Sequence, residues 1–126
     1  MVDHYFSEVN RLSTPIVPVA ENISVLPLVG TVDEERLHKI LDVVSLHVNE
    51  AKEDYLIVDL SGIHSYSTDL HRGIYQLNQL LDLMGTTLIL TGVKPHFAME
   101  SAPHVDFNEL SLQSYTSVKQ ALQFIQ

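Results

Sequence analysis

Between Asp59 and Leu70 the chain reads Asp-Leu-Ser-Gly-Ile-His-Ser-Tyr-Ser-Thr-Asp-Leu. This run gathers a carboxylate, a glycine and several hydroxyls where a compact apolar strand gives way to a helix. The reading is that the chain leaves the strand at Asp59, turns at Gly62 and enters the helix near Ser67 and Thr68. A Ser or Thr at a helix N-terminus satisfies an orphan backbone N–H, worth about 1 kcal/mol. The same hydroxyl is a candidate phosphoacceptor, because a phosphate there gains from free N–H groups and from the helix dipole. Arg72 lies four residues beyond Thr68 and is placed to pair with such a phosphate. The two roles are compatible, since a cap can also be modified.

Other chemistries find less support. Among the seven His the close pairs are His64/His71 and His96/His104. Neither pair has the i, i+4 spacing of a zinc helix, and no Glu accompanies them as in H-E-x-x-H. Scattered surface or capping His is the expectation, with no metal site. The chain has no Cys, which excludes disulfides, thiol nucleophiles and thiolate metal sites. Composition alone leaves a Ser-His-Asp triad open, but no Gly-x-Ser-x-Gly elbow occurs. The glycines stand singly, so no phosphate-cradling loop is present and no cofactor is expected.

The bulk properties fit this picture. The 126 residues suit one domain, and 45% of them are hydrophobic. A net charge of −9 repels nucleic acid and anionic lipid. No segment approaches the ~20 apolar residues of a membrane span. The N-terminus has neither a basic nor an apolar region of the signal-peptide kind, so a cytoplasmic setting is expected.

The elements that must position the hydroxyls follow from periodicity. Tyr5, Phe6, Val9 and Leu12 form one stripe of a short N-terminal helix, stopped by Ser13-Thr14-Pro15. Residues 1–13 therefore read as a helical linker and 14–126 as the folded domain. Ile16–Val19 and Ile23–Leu28 are two strands around Ala20-Glu21-Asn22, with Pro18 and Pro27 marking edges or strand ends. Leu37, Ile40, Leu41, Val44 and Val48 mark a helix over 33–49. Tyr55–Leu60 is a buried strand. Leu70, Ile74, Leu77, Leu81 and Met84 mark a second helix, stopped by Gly85. Thr87–Thr91 is another buried strand. Pro95 opens a third helix that Pro103 ends, and a short strand lies near Leu110–Leu112. Val118, Ala121, Leu122 and Ile125 mark a last helix, capped by Ser114 or Thr116. The order ββαβαβαβα predicts an α/β fold: one mixed, mostly parallel sheet, an antiparallel edge from the opening hairpin, and packed helices.

Several stretches carry a family resemblance. Leu12-Ser13-Thr14-Pro15-Ile16-Val17-Pro18-Val19 and Ile23-Ser24-Val25-Leu26-Pro27-Leu28-Val29-Gly30-Thr31-Val32-Asp33-Glu34-Glu35-Arg36 resemble the start of a STAS domain of the stressosome co-antagonist type. Tyr55-Leu56-Ile57-Val58-Asp59-Leu60-Ser61-Gly62 and Leu90-Thr91-Gly92-Val93-Lys94-Pro95 continue the match, which covers about residues 12 to 125. Within the family the chain is especially similar to the output domain of bacterial blue-light photoreceptors of the general stress response. Residues 1–14 are too few for the flavin-binding photosensor that precedes such domains. The resemblance implies a single STAS-like domain and a non-enzymatic interaction module, an anti-sigma factor antagonist or stressosome component. Its implied partners are other STAS proteins and a Ser/Thr kinase, and it implies a homodimer.

Two site positions carry over by resemblance. The main family acceptor follows an Asp at the start of the second helix; Thr68 falls there, with Ser67 where the family has Asp. Ser67 is the fallback acceptor. The photoreceptor domain has an acidic residue at the Thr68 position. The second family acceptor is a Thr early in the first long helix, and Glu34 occupies it. Glu34 then reads either as a fixed stand-in for phosphate charge or as half of a Thr31-x-x-Glu34 capping box.

Two alternatives stay open. A receiver-like phospho-relay domain would use Asp59 as its acceptor, with Lys94-Pro95 after a later strand, but it needs paired acids after its first strand and Leu28-Val29-Gly30 supplies none. A nucleotide-binding signalling domain would use the region of Asp59 and Gly62, without a phosphate loop.

Overall fold

The computed structural model describes residues 15–94 and 113–125. Alternating apolar residues decide which way each strand faces. In β2 (Ile23–Gly30), Leu26 and Leu28 point to one side of the sheet, and Ile23 and Val25 to the other. In β3 (Tyr55–Ile63), Leu56, Val58 and Leu60 take the first side and Ile57 the second. Both sides are buried, so β3 reads as a nearly continuous apolar run. β4 (Thr87–Thr91) follows the same rule, with Leu88 and Leu90 opposed to Ile89.

The sheet has five strands in the order β1-β2-β3-β4-β5, where β1 is Val17–Ala20 and β5 is Gln113–Tyr115. β1 runs antiparallel to β2, and every other pairing is parallel. Helices α1 (Glu34–Ala51) and α2 (Thr68–Leu83) cover one face. Leu37, Ile40, Val44 and Val48 of α1 and Leu70, Ile74, Leu77 and Leu81 of α2 are buried there, as their helical spacing predicts. Helix α3 (Val118–Ile125) covers the other face through Ala121, flanked by Val118, Leu122 and Ile125.

This is the α/β architecture expected from the sequence. Gly85 stands just past α2 with φ +80°, as a helix stop requires. The N-terminal stripe of Tyr5, Phe6, Val9 and Leu12, the helix between Pro95 and Pro103, the His96/His104 pair and the strand near Leu110–Leu112 lie outside the described residues.

Four local expectations are corrected. β3 does not end at Asp59 or turn at Gly62; it runs on to Ile63, and Gly62 pairs with Val29. The register steps from Pro27↔Asp59 to Val29↔Gly62, so β3 carries one extra residue. That bulge shifts the side-chain phase and returns Ile63 to the helix-covered face. Next, Pro27 lies inside β2. It is tolerated because the last β1 partner is Val25, and the bulge starts at Pro27 itself. Third, α1 opens without a Thr31/Glu34 capping box: the Asp33 carboxylate accepts from the Arg36 amide at 2.8 Å. Last, α3 is capped by Ser117, whose hydroxyl accepts from the Gln120 amide at 3.1 Å. Ser114 lies in β5, and the Thr116 hydroxyl donates to Gln120 instead.

Polar side chains close the end of the sheet where the parallel strands begin. Buried Glu53, just before β3, accepts from Ser24 Oγ at 2.5 Å and lies 2.9 Å from His47 Nε2 of α1. Thr86 Oγ1 donates to the Glu53 carbonyl at 2.6 Å. Strand β2, helix α1 and the loops before β3 and β4 are thereby joined by one carboxylate residue.

Candidate functional site

At the opposite end, the parallel strands deliver the chain into the N-termini of α1 and α2. Ser67 is the N-cap of α2, with φ −86° and ψ 162°. Its Oγ accepts from the Leu70 amide at 3.0 Å. The same oxygen donates to the Val32 carbonyl at 3.1 Å, across to the loop that opens α1. Thr68 is the next residue and the first of the helix, and its side chain is exposed. The cap of α2 is therefore supplied by Ser67, while the Thr68 hydroxyl faces solvent.

Charge around Thr68 is mixed. Asp69 lies in the first turn, and the Arg72 guanidinium stands 3.8 Å from its carboxylate. Arg72 stands near the helix start, with Asp69 as its observed partner. On the inner side, Tyr66 packs against the core and its ring lies 6.2 Å from that of His71. Burial pushes the Tyr66 phenol well above its ordinary range. No such signal was visible in the sequence, where Tyr66 was one more residue of a polar run.

The loop before α1 forms the other half of this end. Glu34 is the first residue of α1, exposed, with its carboxylate 3.9 Å from His38 Nε2. Arg36 folds back so that Nη1 donates to the carbonyls of Val29 and Thr31, the latter at 3.0 Å. The His64 amide donates to the Gly30 carbonyl at 3.1 Å, and Ser67 reaches Val32. Two strand-to-helix connections are stitched together, which brings the Glu34 and Thr68 positions to one end of the fold.

Asp59 occupies a separate part of the same end. Its carboxylate accepts from Thr91 Oγ1 at 2.8 Å and from Ser61 Oγ at 2.7 Å. Asp59 and Thr91 are register partners on adjacent strands. Lys94 Nζ donates to the Ile63 carbonyl at 3.2 Å. The three residues Asp59, Ser61 and Thr91 hold one another, so the carboxylate is already supplied with donors. Ser61 and Thr91 were not singled out from sequence. Only the β3–β4 register reveals Thr91, whereas the spacing of Asp59 and Ser61 was in plain view.

Among the described residues no group of three or more His, Asp or Glu is placed to hold a metal ion. Among them, too, no helix is long and apolar enough to cross a membrane.

Comparison with known proteins bears on the family and the fold. Residues 14–121 match the STAS domain family. The chain is 43% identical over 117 residues to the blue-light photoreceptor of Listeria innocua, covering 93% of this chain and 46% of that protein. It is 34% identical over 88 residues to the RsbT co-antagonist protein RsbRA of Bacillus subtilis, covering 70% of this chain and 32% of that one. The chain thus spans less than half the length of these curated relatives. Among solved structures, a variant of RsbS from Moorella thermoacetica superposes with a TM-score of 0.76 at 19% identity, covering 88% of this chain and 92% of that one. A chain from a structure of the stressosome superposes with a TM-score of 0.68 at 22% identity, covering 87% and 94%. At these identities the superpositions speak for the fold.

Proposed function

Because the chain belongs to the STAS domain family, we propose that it is a non-enzymatic interaction module of a general stress response pathway, controlled by phosphorylation of Thr68. It serves as a stressosome component or as an anti-sigma factor antagonist. The relatives that motivate this reading are a photoreceptor and RsbT co-antagonists. The observation that carries it is the exposed hydroxyl of Thr68 on the first residue of α2, beside a cap that Thr68 does not itself provide. A kinase reaches that oxygen without dismantling the helix start. Transfer of the ATP γ-phosphoryl group to Thr68 Oγ1 releases ADP and the hydroxyl proton. The phosphate brings about −1.5 to −2 charges. The helix dipole and Arg72 offset it, and Asp69 opposes it. Its effect falls on partner surfaces through repulsion and desolvation, while the fold survives.

The partners under this reading are other STAS proteins and a Ser/Thr kinase of the anti-sigma type, in the cytoplasm. Two copies of the chain pair as a homodimer under this reading. Glu34, exposed and freed of a capping duty by Asp33, supplies standing negative charge at the same end of the fold as the acceptor.

The deciding experiment is phosphopeptide mapping after incubation with a stressosome-type kinase and ATP, with a phosphorylated family member as control. Modification of Thr68, lost in Thr68→Ala, is expected. A tryptic peptide carrying Ser67 and Thr68 that stays unmodified while the control is labelled ends the acceptor role.

A further inference from the structure

We infer that Ser67 is a positioning residue: its single hydroxyl is a two-way tie that fixes the N-terminus of α2 to the loop opening α1, and so presents Thr68 and Glu34 as one surface. The bearing on modification rests on the reading of Thr68 given above; the tie itself rests on geometry.

A hydroxyl has one hydrogen to give and lone pairs to accept with. At Ser67 both capacities are used. The lone pair takes the Leu70 N–H at 3.0 Å, and the hydrogen goes to the Val32 carbonyl at 3.1 Å, 35 positions away in sequence. Val32 is only 2% exposed, so its carbonyl has little access to water as a replacement donor. From Val32 the backbone passes directly to Asp33, which caps α1, and to Glu34 at its first position. One side of the tie therefore governs the start of α2 and the other the start of α1.

The chemistry makes Ser67 hard to replace. An Asp side chain caps a helix well but can only accept, so it would set a carboxylate oxygen against the Val32 carbonyl. A phosphoryl group on Ser67 Oγ would likewise take the place of the hydrogen that Val32 receives. Thr offers the same hydroxyl and keeps both bonds. Ala keeps neither.

The test needs no kinase for its first arm. Amide exchange and carbonyl chemical shifts are measured by NMR on the full chain and on Ser67→Asp, Ser67→Thr and Ser67→Ala. In Ser67→Asp the Leu70 amide stays protected, the Val32 carbonyl shift moves, and the Arg36 and Leu37 amides exchange about fivefold faster, as loss of one hydrogen bond implies. Ser67→Thr matches the parent, and Ser67→Ala loses protection at Leu70 as well. An unmoved Val32 carbonyl and unchanged Arg36 exchange in Ser67→Asp overturn the tie, as does a Ser67→Thr that fails to restore them. The second arm is the rate of Thr68 phosphorylation, which falls severalfold in Ser67→Ala, where both bonds are lost, and recovers in Ser67→Thr. If the parent itself is not phosphorylated, the functional reading fails and the NMR arm alone decides the tie.

Discussion

Gly92 runs hard against Ser61: a Cβ built on Gly92 would stand 2.7 Å from the Ser61 amide nitrogen and 2.9 Å from Asp59 Oδ1. Gly92 also has φ +71°, a conformation that side chains with a Cβ adopt at a cost. The exit of β4 is therefore pressed onto β3 beside the Asp59 carboxylate. Gly92→Ala combines backbone strain with a clash against backbone, and is expected to cost about 2–3 kcal/mol. Urea denaturation of the variant and parent reads this as a lower midpoint at unchanged slope. An unchanged midpoint would show that the β4 exit is free to move away.

At the other end of the sheet, Glu53 gathers Ser24 and His47 on one carboxylate oxygen. Glu53→Ala leaves buried Ser24 without its acceptor and is expected to cost about 2 kcal/mol. Ser24→Ala removes one donor and costs about 1 kcal/mol. The same denaturation series checks both, and a double variant should fall short of additivity because the two residues share a bond.

The opening of α1 separates a cap from a charge. Asp33→Ala removes the bond to the Arg36 amide and should lower stability by about 1 kcal/mol. Glu34→Gln, on an exposed residue whose side chain is 3.9 Å from His38, should change it by less than about 0.5 kcal/mol. If Glu34 serves as standing charge, Glu34→Gln weakens kinase or partner affinity with melting temperature unchanged. Equal affinity for both forms removes that role.

Tyr66 provides a test in alkali. Burial raises its phenol above the unfolded value. Below an unfolded pKa of about 10 both states keep the proton, and stability is insensitive to this group. Above it the unfolded chain releases the proton first, so stability falls as pH rises toward the folded value. Absorbance titration should show one tyrosine fewer ionising with the folded protein than on denaturation, a difference that Tyr66→Phe abolishes. A Tyr66 that ionises with the exposed phenols would contradict its burial.

Much of this molecule was legible in one dimension because burial imposes periodicity. The helical spacing of Leu37, Ile40, Val44 and Val48, and of Leu70, Ile74, Leu77 and Leu81, can be satisfied only by helices with one apolar face. The apolar run of β3, covered on both sides, announced a central parallel strand. The ordered motifs from Leu12 to Pro95 carried the family, and the strand-to-helix pattern placed Thr68 at a helix start.

What only the tertiary structure decided is which partner each polar group finds. Ser67 and Thr68 are equivalent as letters, yet one donates to Val32 and the other faces solvent, because the α1 loop packs beside one of them. Asp59 is held by Thr91 through a strand register that no local pattern encodes. Glu34 lost its capping role to the neighbouring Asp33, whose carboxylate takes the Arg36 amide. The extra residue in β3 moved Gly62 from turn to strand, because register is set by the neighbouring strands together. Apolar periodicity is a property of one element against water and can be read along the chain. Hydrogen-bond choice is a competition among donors and acceptors brought together from distant segments, and it is settled only when the segments meet.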